Sequence, residues 1–106
     1  MFTTFADDAA ALDAFSTLLN AMSNPKRLHV LSLLSTREIS VGALALKVDL
    51  SQSALSQHLS RLRGADLVTT RRDSRTVFYS CKSTAVQEIL KTLEEIRAGR
   101  GPQKAA

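Results

Sequence analysis

The chain has a single cysteine among its 106 residues, so it cannot form an intrachain disulfide, as is usual for a protein of the reducing cytoplasm. It also lacks any apolar run of about 18 residues or more, so no membrane-spanning helix is predicted. Residues 1–25 contain three aspartates and no lysine or arginine, whereas a secretory signal begins with a basic segment. We therefore expect a cytoplasmic protein.

The residue patterns that carry catalysis are missing as well. No nucleophile is paired with a base, and there is neither a glycine-rich phosphate loop nor a cluster of metal ligands. The two histidines, His29 and His58, belong to different predicted helices. We therefore expect no enzymatic activity and no cofactor, and a chain of this length forms one domain.

The positive charge of the chain is concentrated in one part of it. The net charge is +4, but residues 1–25 contribute only acidic groups, while residues 51–82 contain six basic residues against two acidic ones. This asymmetry is typical of a basic face that is turned toward a polyanion. A merely solvated surface would explain the charge equally well, so the choice depends on the motifs.

Apolar residues at spacings of three and four predict five helices. These cover residues 6–21, 25–34, 41–48, 52–63 and 84–97. Asn24 suits an N-cap before Pro25, and Ser40 and Ser51 suit the N-caps of the third and fourth helices. Gly64 lies where a left-handed C-cap is expected.

Alternation with period two predicts a hairpin after the fourth helix. Its strands are residues 67–72 and 76–80, joined at Asp73-Ser74-Arg75, and Ile39 is predicted to lie in a short extended segment earlier in the chain. The polar tail, 99–106, is expected to be disordered, which leaves 1–98 as the domain. The predicted fold is mainly α with a small β-hairpin, a winged helix-turn-helix of five helices and a two-stranded wing.

The fourth helix is the predicted base-reading element. Its leucines form one buried stripe, and the opposite face carries the base-reading candidates Gln52, Ser53, Ser56 and Gln57. A glutamine amide can bond adenine N6 and N7 together, and short side chains let the helix approach the groove floor. A merely solvated helix would be expected to carry lysine and glutamate, which this segment lacks. His58, at the edge of the stripe, is predicted to be packed rather than to contact a base.

Phosphate contacts are predicted at the helix ends and along the wing. The candidates are Ser40, Ser51, Arg61, Arg63, Arg71, Arg72, Arg75 and Thr76. Three arginines around one tight turn repel one another, so a polyanion is expected to offset their charge, with a solvated turn as the alternative.

Three segments, NPKRLHVLSLL, VGALALKVDLSQSALSQHLSRLRGADLV and RRDSRTVFYS, resemble the ArsR/SmtB family of bacterial winged helix-turn-helix repressors. The phrase LSQSALSQHL is similar to a subgroup that includes NolR and the HlyU/BigR-type regulators. The resemblance covers residues 12–97. It implies a cytoplasmic homodimer on a palindromic double-stranded DNA operator, joined through the first and last helices. The corresponding apolar residues here are Leu12, Phe15, Leu18, Leu19, Val86, Ile89, Leu90, Leu93 and Ile96.

The chain departs from the sensor sites that the resemblance implies. Many family members bind metals through the third or the last helix, but here the third helix has no Cys, His, Asp or Glu and the last has no His or Cys. The HlyU/BigR-like branch uses two cysteines, and the second-helix position matches Ser32 here. We therefore expect no metal or dithiol sensor. The alternative is a redox- or ligand-responsive repressor that uses Cys81 or an unmarked small-molecule pocket.

Overall fold

The computed structural model describes residues 4–99, which form five helices and three short strands. In chain order these are α1 (Ala9–Met22), α2 (Pro25–Leu34), β1 (Ile39–Ser40), α3 (Val41–Val48), α4 (Gln52–Gly64), β2 (Thr69–Asp73), β3 (Thr76–Ser80) and α5 (Thr84–Arg97). This order confirms the mainly α winged helix-turn-helix. Residues 100–106 of the predicted tail lie outside the described part of the chain.

The predicted helix starts at Asn24, Ser40 and Ser51 are confirmed. Asn24 accepts hydrogen bonds from the backbone N–H groups of the first turn of α2, and the two serines cap α3 and α4 in the same way. The prediction that α1 begins at Ala6 is wrong. The helix begins at Ala9 because Asp8 is its N-cap and accepts a hydrogen bond from the third residue of the helix.

Both helices of the helix-turn-helix end in an aspartate with left-handed backbone. Asp49 follows α3 with a φ of 56°, and Asp66 follows α4 with a φ of 61°. After Asp66, the N–H of Leu67 donates to the carbonyl of Leu62 at 3.0 Å, as in a Schellman motif. The predicted left-handed cap at Gly64 is therefore wrong, since Gly64 is the last helical residue. Aspartate tolerates this conformation better than most side chains because it is short and polar.

The core forms where α2, α3 and α4 meet. Leu31 of α2, Leu44 of α3 and three leucines of α4 are essentially inaccessible to solvent. Burying each of them stabilises the fold by about 1.5–3 kcal/mol. Because the apolar stripe of α4 is entirely inside, its polar face must point outward. Val86 of α5 is also fully buried within its own chain, so its predicted place in a dimer interface is wrong.

The wing belongs to a three-stranded antiparallel sheet of order β1-β3-β2, one strand more than the predicted hairpin. The extended segment predicted at Ile39 is confirmed as β1, which pairs Ile39 with Tyr79. The strand predicted from residue 67 begins at Thr69 instead, because the two residues before it are both buried and do not alternate. Only two residues, Ser74 and Arg75, connect β2 to β3.

Candidate nucleic-acid interface

The outward face of α4 consists of four exposed polar residues at helical spacing. They are the predicted base-reading residues Gln52, Ser53, Ser56 and Gln57. Behind them Leu55, Leu59 and Leu62 are fully buried and hold the helix on the core. The amide nitrogen of Gln52 lies 3.8 Å from where a Cβ on Gly42 would stand, next to the start of α3. The structure thus brings all four side chains together on one open surface with donors and acceptors available.

Lys26 connects α2 to the end of α3. The Nζ of Lys26 donates to the carbonyl of Val48 in the last turn of α3. A cation at a helix C-terminus is favourable because the partial negative charge of the helix dipole lies there. This hydrogen bond fixes α3 on α2, and α3 in turn packs against α4.

Beneath α4 lies an arginine that the sequence analysis missed. Arg27 is only 7% exposed, and its guanidinium donates to the carbonyls of Ala21 and Asn20 at the end of α1. Its remaining nitrogen lies 3.3 Å from Nδ1 of His58 on α4. Burial, followed by repulsion from Arg61, lowers the pKa of Arg27. The only signal in the sequence is a cation in the first turn of a helix, where the dipole opposes it.

His58 is packed at the edge of the core, as predicted, and its partner is the guanidinium of Arg27. Arginine is only a donor, so Nδ1 of His58 must be an unprotonated acceptor. Burial first, and then the charges of Arg27, Arg61 and Lys26, lower the pKa of His58. The neutral imidazole therefore ties the recognition helix to α2 and, through Arg27, to the end of α1.

The wing arginines divide into one engaged residue and two free ones. Arg71 forms a bidentate ion pair with Glu38, with nitrogen–oxygen distances of 2.7 and 3.0 Å. Within residues 4–99, neither Arg72 nor Arg75 lies within ion-pair distance of an acidic group, and both are exposed. The expectation that a polyanion must offset all three charges is therefore wrong for Arg71.

The ion pair shifts the titration of both partners. The hydrogen bond from Arg71 is the largest effect on Glu38 and lowers the pKa of that carboxyl. The same hydrogen bond raises the pKa of Arg71. Glu38 is therefore ionised at neutral pH, and the pair is electrically balanced.

Four of the five remaining candidates for phosphate contact already have intramolecular hydrogen bonds. Arg61 donates to the side-chain oxygen of Asn20 at 3.3 Å, and Arg63 lies 3.5 Å from the hydroxyl of Tyr79. The cap serines, Ser40 and Ser51, each accept a backbone N–H but keep their own hydroxyl proton to donate. Thr76, at the start of β3, is exposed beside the turn. Their contact with phosphate stays a prediction.

The first and last helices carry exposed apolar side chains. Leu12, Phe15 and Leu19 of α1 and Leu93 and Ile96 of α5 are 41–54% exposed. The other predicted interface residues, Leu18, Ile89 and Leu90, are half-buried against the core. Monomeric surfaces rarely expose so many large apolar groups, and such patches mark interaction sites. Sequence analysis missed Leu46 of α3, which is 85% exposed.

The structure also shows the surroundings of the residues considered as sensors, namely possible metal ligands and Cys81. Across residues 4–99 no group of three or more His, Cys, Asp or Glu side chains is placed to hold a metal ion. Cys81 is 2% exposed, as expected for a small packed side chain, and borders a surface cleft of about 390 Å³ between the end of α2 and α5. No helix within the same residues has the length and apolarity that a membrane crossing requires.

Comparison with known proteins places this geometry among bacterial regulators. Residues 24–70 match the family described as bacterial regulatory protein, arsR family. The nodulation protein NolR of Rhizobium meliloti is 60% identical over 78 residues, which cover 74% of this chain and 64% of that protein. The transcriptional activator HlyU of Vibrio cholerae is 48% identical over 79 residues, covering 74% and 73%. A biofilm growth-associated repressor of Agrobacterium fabrum is 37% identical over 79 residues, covering 74% and 68%.

Solved structures agree with the sequence relatives. The crystal structure of NolR from Sinorhizobium fredii aligns with a TM-score of 0.81 at 50% identity, covering 91% of this chain and 96% of that one. A homodimeric winged helix-turn-helix DNA-binding domain from Mycobacterium bovis aligns with a TM-score of 0.76 at 26% identity, covering 92% and 91%. The match to the first of the curated relatives spans less than two thirds of that relative's length.

Proposed function

Because the chain belongs to the ArsR family of bacterial regulatory proteins, we propose that it binds a pseudo-palindromic DNA operator as a homodimer and represses transcription in the cytoplasm. Membership in the family makes it a DNA-binding transcriptional regulator with a winged helix-turn-helix, and not an enzyme. The observation that carries the finer proposal is the exposed Gln/Ser face of α4, held outward by three fully buried leucines.

The α4 face reads bases in the major groove. Gln52 and Gln57 each offer an amide donor and acceptor that match adenine, and one bidentate pair contributes about 1–3 kcal/mol of discrimination. Ser53 and Ser56 offer hydroxyls that donate or accept, and their small size lets the backbone approach closely. The support is the position of all four on the first two turns of a helix that follows a tight turn.

The wing and the cap serines hold phosphates. Arg72 and Arg75 are exposed, and within the described chain they have no acidic partner, so phosphate oxygens can serve as their counter-charge. Ser51 can donate its hydroxyl proton at the positive end of the α4 dipole, where anions are favoured. These contacts fix the register of α4 without themselves reading sequence.

The second subunit covers the apolar faces of α1 and α5. The support is the exposure of Phe15, Leu19, Leu93 and Ile96, together with the homodimeric relative from Mycobacterium bovis. In a two-fold dimer the two recognition helices enter successive major grooves about 34 Å apart. The operator is then an inverted repeat, since each half-site meets the same helix in the opposite direction.

The support for repression is a relative that is named a repressor, while another relative is named an activator. Neither a metal nor a cysteine pair switches the protein. The support is the lack of Cys, His, Asp and Glu in α3, the lack of Cys and His in α5, and the burial of the single thiol. Release through oxidation of Cys81 is the weaker candidate because the sulfur is shielded from solvent.

The test is a fluorescence-anisotropy titration against the duplex upstream of the protein's own gene, with a scrambled duplex as control. The titration is repeated with EDTA and with added Zn²⁺. We expect tight, salt-sensitive binding that prefers the upstream duplex and ignores both additions. Release by Zn²⁺ would contradict the metal-independent part of the proposal. Equal binding of both duplexes would contradict sequence recognition.

A further inference from the structure

We propose that Glu38 and Arg71 are positioning residues for the wing: their ion pair sets the angle of β2 and the tip, and Arg71 does not itself bind phosphate. The inference rests on the proposed contact between the wing and DNA. It changes the number of arginines that the wing offers to phosphate from three to two in each subunit.

The pair spans the whole sheet. Glu38 directly precedes β1, one edge strand, while Arg71 lies on β2, the other edge strand. Between them, Phe78 of β3 is the register partner of both Ser40 and Arg71. The guanidinium lies over the Phe78 ring, 4.6 Å from its centroid, on its way to the carboxylate. The side chain of Arg71 thus crosses the middle strand and joins the two edges of the sheet.

Apart from this ion pair, few side-chain contacts hold the edge strand β2 in place. Every residue of β2 is exposed, so no core side chain anchors it, and β1 pairs with only two residues of β3. The tip therefore projects beyond the three-stranded part as a simple two-stranded ribbon. Isolated hairpins of this kind are marginal in water. A fork-to-fork ion pair restricts geometry because both nitrogens must face both oxygens.

The alternation of the strand separates the engaged arginine from the free one. Neighbouring residues of a strand point to opposite faces, so Arg71 points toward Phe78 and Glu38 while Arg72 points the other way. A phosphate bound by Arg71 would have to displace Glu38 and would leave that carboxylate beside the DNA. With the pair intact, the charge of Glu38 is neutralised, and Arg72 and Arg75 are the wing arginines left for phosphate. Asp73, the other wing carboxylate, lies 3.9 Å from Arg71 and stays exposed.

The two possible roles of Arg71 give opposite results for Glu38→Gln. If Glu38 only competed with phosphate for Arg71, its neutralisation would free the arginine, tighten operator binding and steepen the salt dependence. If the pair positions the wing, Glu38→Gln allows the wing to adopt several orientations. Affinity then falls about threefold to tenfold because only part of the population presents the tip correctly. The salt slope stays the same because the same number of phosphates is bound.

The experiment measures the operator affinity of the full chain by anisotropy at several salt concentrations, together with the thermal midpoint. The variants are Glu38→Gln, Arg71→Gln, Arg71→Lys and the double Glu38→Gln/Arg71→Gln, with Arg72→Gln as the matched removal of one free charge. We expect Glu38→Gln, Arg71→Gln and the double variant to weaken operator binding equally. The salt dependence of the affinity and the midpoint of thermal unfolding should stay unchanged in all three. Arg71→Lys should keep only part of the operator affinity, because lysine retains the positive charge but cannot form the bidentate pair with Glu38.

Arg72→Gln should instead lower the slope by about one unit for each phosphate that the wing no longer binds. Tighter binding by Glu38→Gln, or a fall in slope for Arg71→Gln equal to that for Arg72→Gln, would overturn the positioning role while leaving the DNA-binding wing intact. Unchanged affinity in a double Arg72→Gln/Arg75→Gln variant would overturn the binding of phosphate by the wing and the positioning role together.

Discussion

At the scale of single residues, the polar face of α4 combines weak helix formers with a strongly anchored inner stripe. Serine inside a helix lowers its stability relative to alanine or lysine, and α4 contains three, Ser53, Ser56 and Ser60. The three buried leucines offset that cost. The result is a helix whose outward surface is short, uncharged and rich in hydrogen-bonding groups, which suits base edges better than phosphates.

We expect Gln57→Ala, and separately Gln52→Ala, to reduce affinity for the operator more than affinity for scrambled DNA. Removing one bidentate pair with adenine takes away about 1–3 kcal/mol of discrimination. Anisotropy titrations against both duplexes give the ratio. The control is Gln87→Ala on α5, which removes the same amide away from α4, where it donates to the carbonyl of Cys81 at 3.5 Å. Equal reductions on the two duplexes would show that the glutamines do not read bases.

The hydrogen bond between Arg27 and His58 predicts a stability that depends on pH. The pKa of His58 is lower in the folded protein than the value of about 6.5 in the unfolded chain. Between these two pKa values the unfolded chain binds a proton that the folded protein does not, so unfolding takes up a proton there. The stabilisation is complete above about pH 6.5 and is lost at lower pH, as the imidazolium forms beside Arg27. Urea unfolding at neutral pH and at about pH 5.5 measures the difference.

His58→Gln keeps an acceptor for Arg27 without a titrating group. We expect this variant to lose less unfolding free energy on acidification than the wild type. Parallel pH profiles for the two proteins would rule out His58 as the titrating group.

Residue roles were predictable where the interaction is local and not where it is distant. The cap serines and Asn24 follow from side chains within three positions of their partners. The Arg27–His58 hydrogen bond joins residues 31 apart, and the Glu38–Arg71 pair joins residues 33 apart. Only the packing of helices and strands brings such residues together, so no local pattern signals them.

At the scale of elements, the helix-turn-helix is shaped by how its helices end. Left-handed aspartates after α3 and α4 turn the chain without glycine, and the following leucine returns to the core side each time. Sequence analysis placed the end of α4 within two residues but assigned the left-handed conformation to the glycine. Glycine adopts that conformation most readily, yet here the Schellman bonds put it at Asp66.

Gly64→Ala is therefore expected to stabilise the protein by about 0.5–1 kcal/mol, since alanine is the better helix former. A Cβ on Gly64 would meet no atom within 4 Å, so no clash opposes the gain. Asp66→Ala is the comparison and should destabilise, because alanine is strained at a positive φ. Urea unfolding measures both changes. Destabilisation by Gly64→Ala would contradict a right-handed helical conformation at Gly64.

At the scale of the whole molecule, the elements form one core with two apolar helices on its outside. The polar face of α4, the wing and the apolar faces of α1 and α5 are parts of one body, so the dimer would set the spacing of the recognition helices. The fold class was predictable because helix period, caps and hairpin all agree. The third sheet strand was predictable only as an extended segment, since its partner lies 40 residues away at Tyr79.

Leu93→Glu is expected to convert a dimer into monomers of 11.5 kDa, because an ionised side chain would be buried in the apolar interface. Operator affinity should fall with the dimer, as each half-site is then bound alone. Light scattering after size exclusion gives the mass. Leu46→Glu, at the most exposed of the large apolar residues described, is the control and should leave the mass unchanged. A dimeric Leu93→Glu protein would mean that the subunits meet elsewhere.

Selection of binding sites from a library of random duplexes tests recognition and symmetry together. The full chain is used to enrich bound duplexes over several rounds, and the enriched pool is sequenced. We expect an inverted repeat whose half-site centres are about one helical turn, roughly 10 base pairs, apart. Enrichment of an unsymmetrical site, or of no sequence at all, would contradict a homodimer that reads DNA through α4.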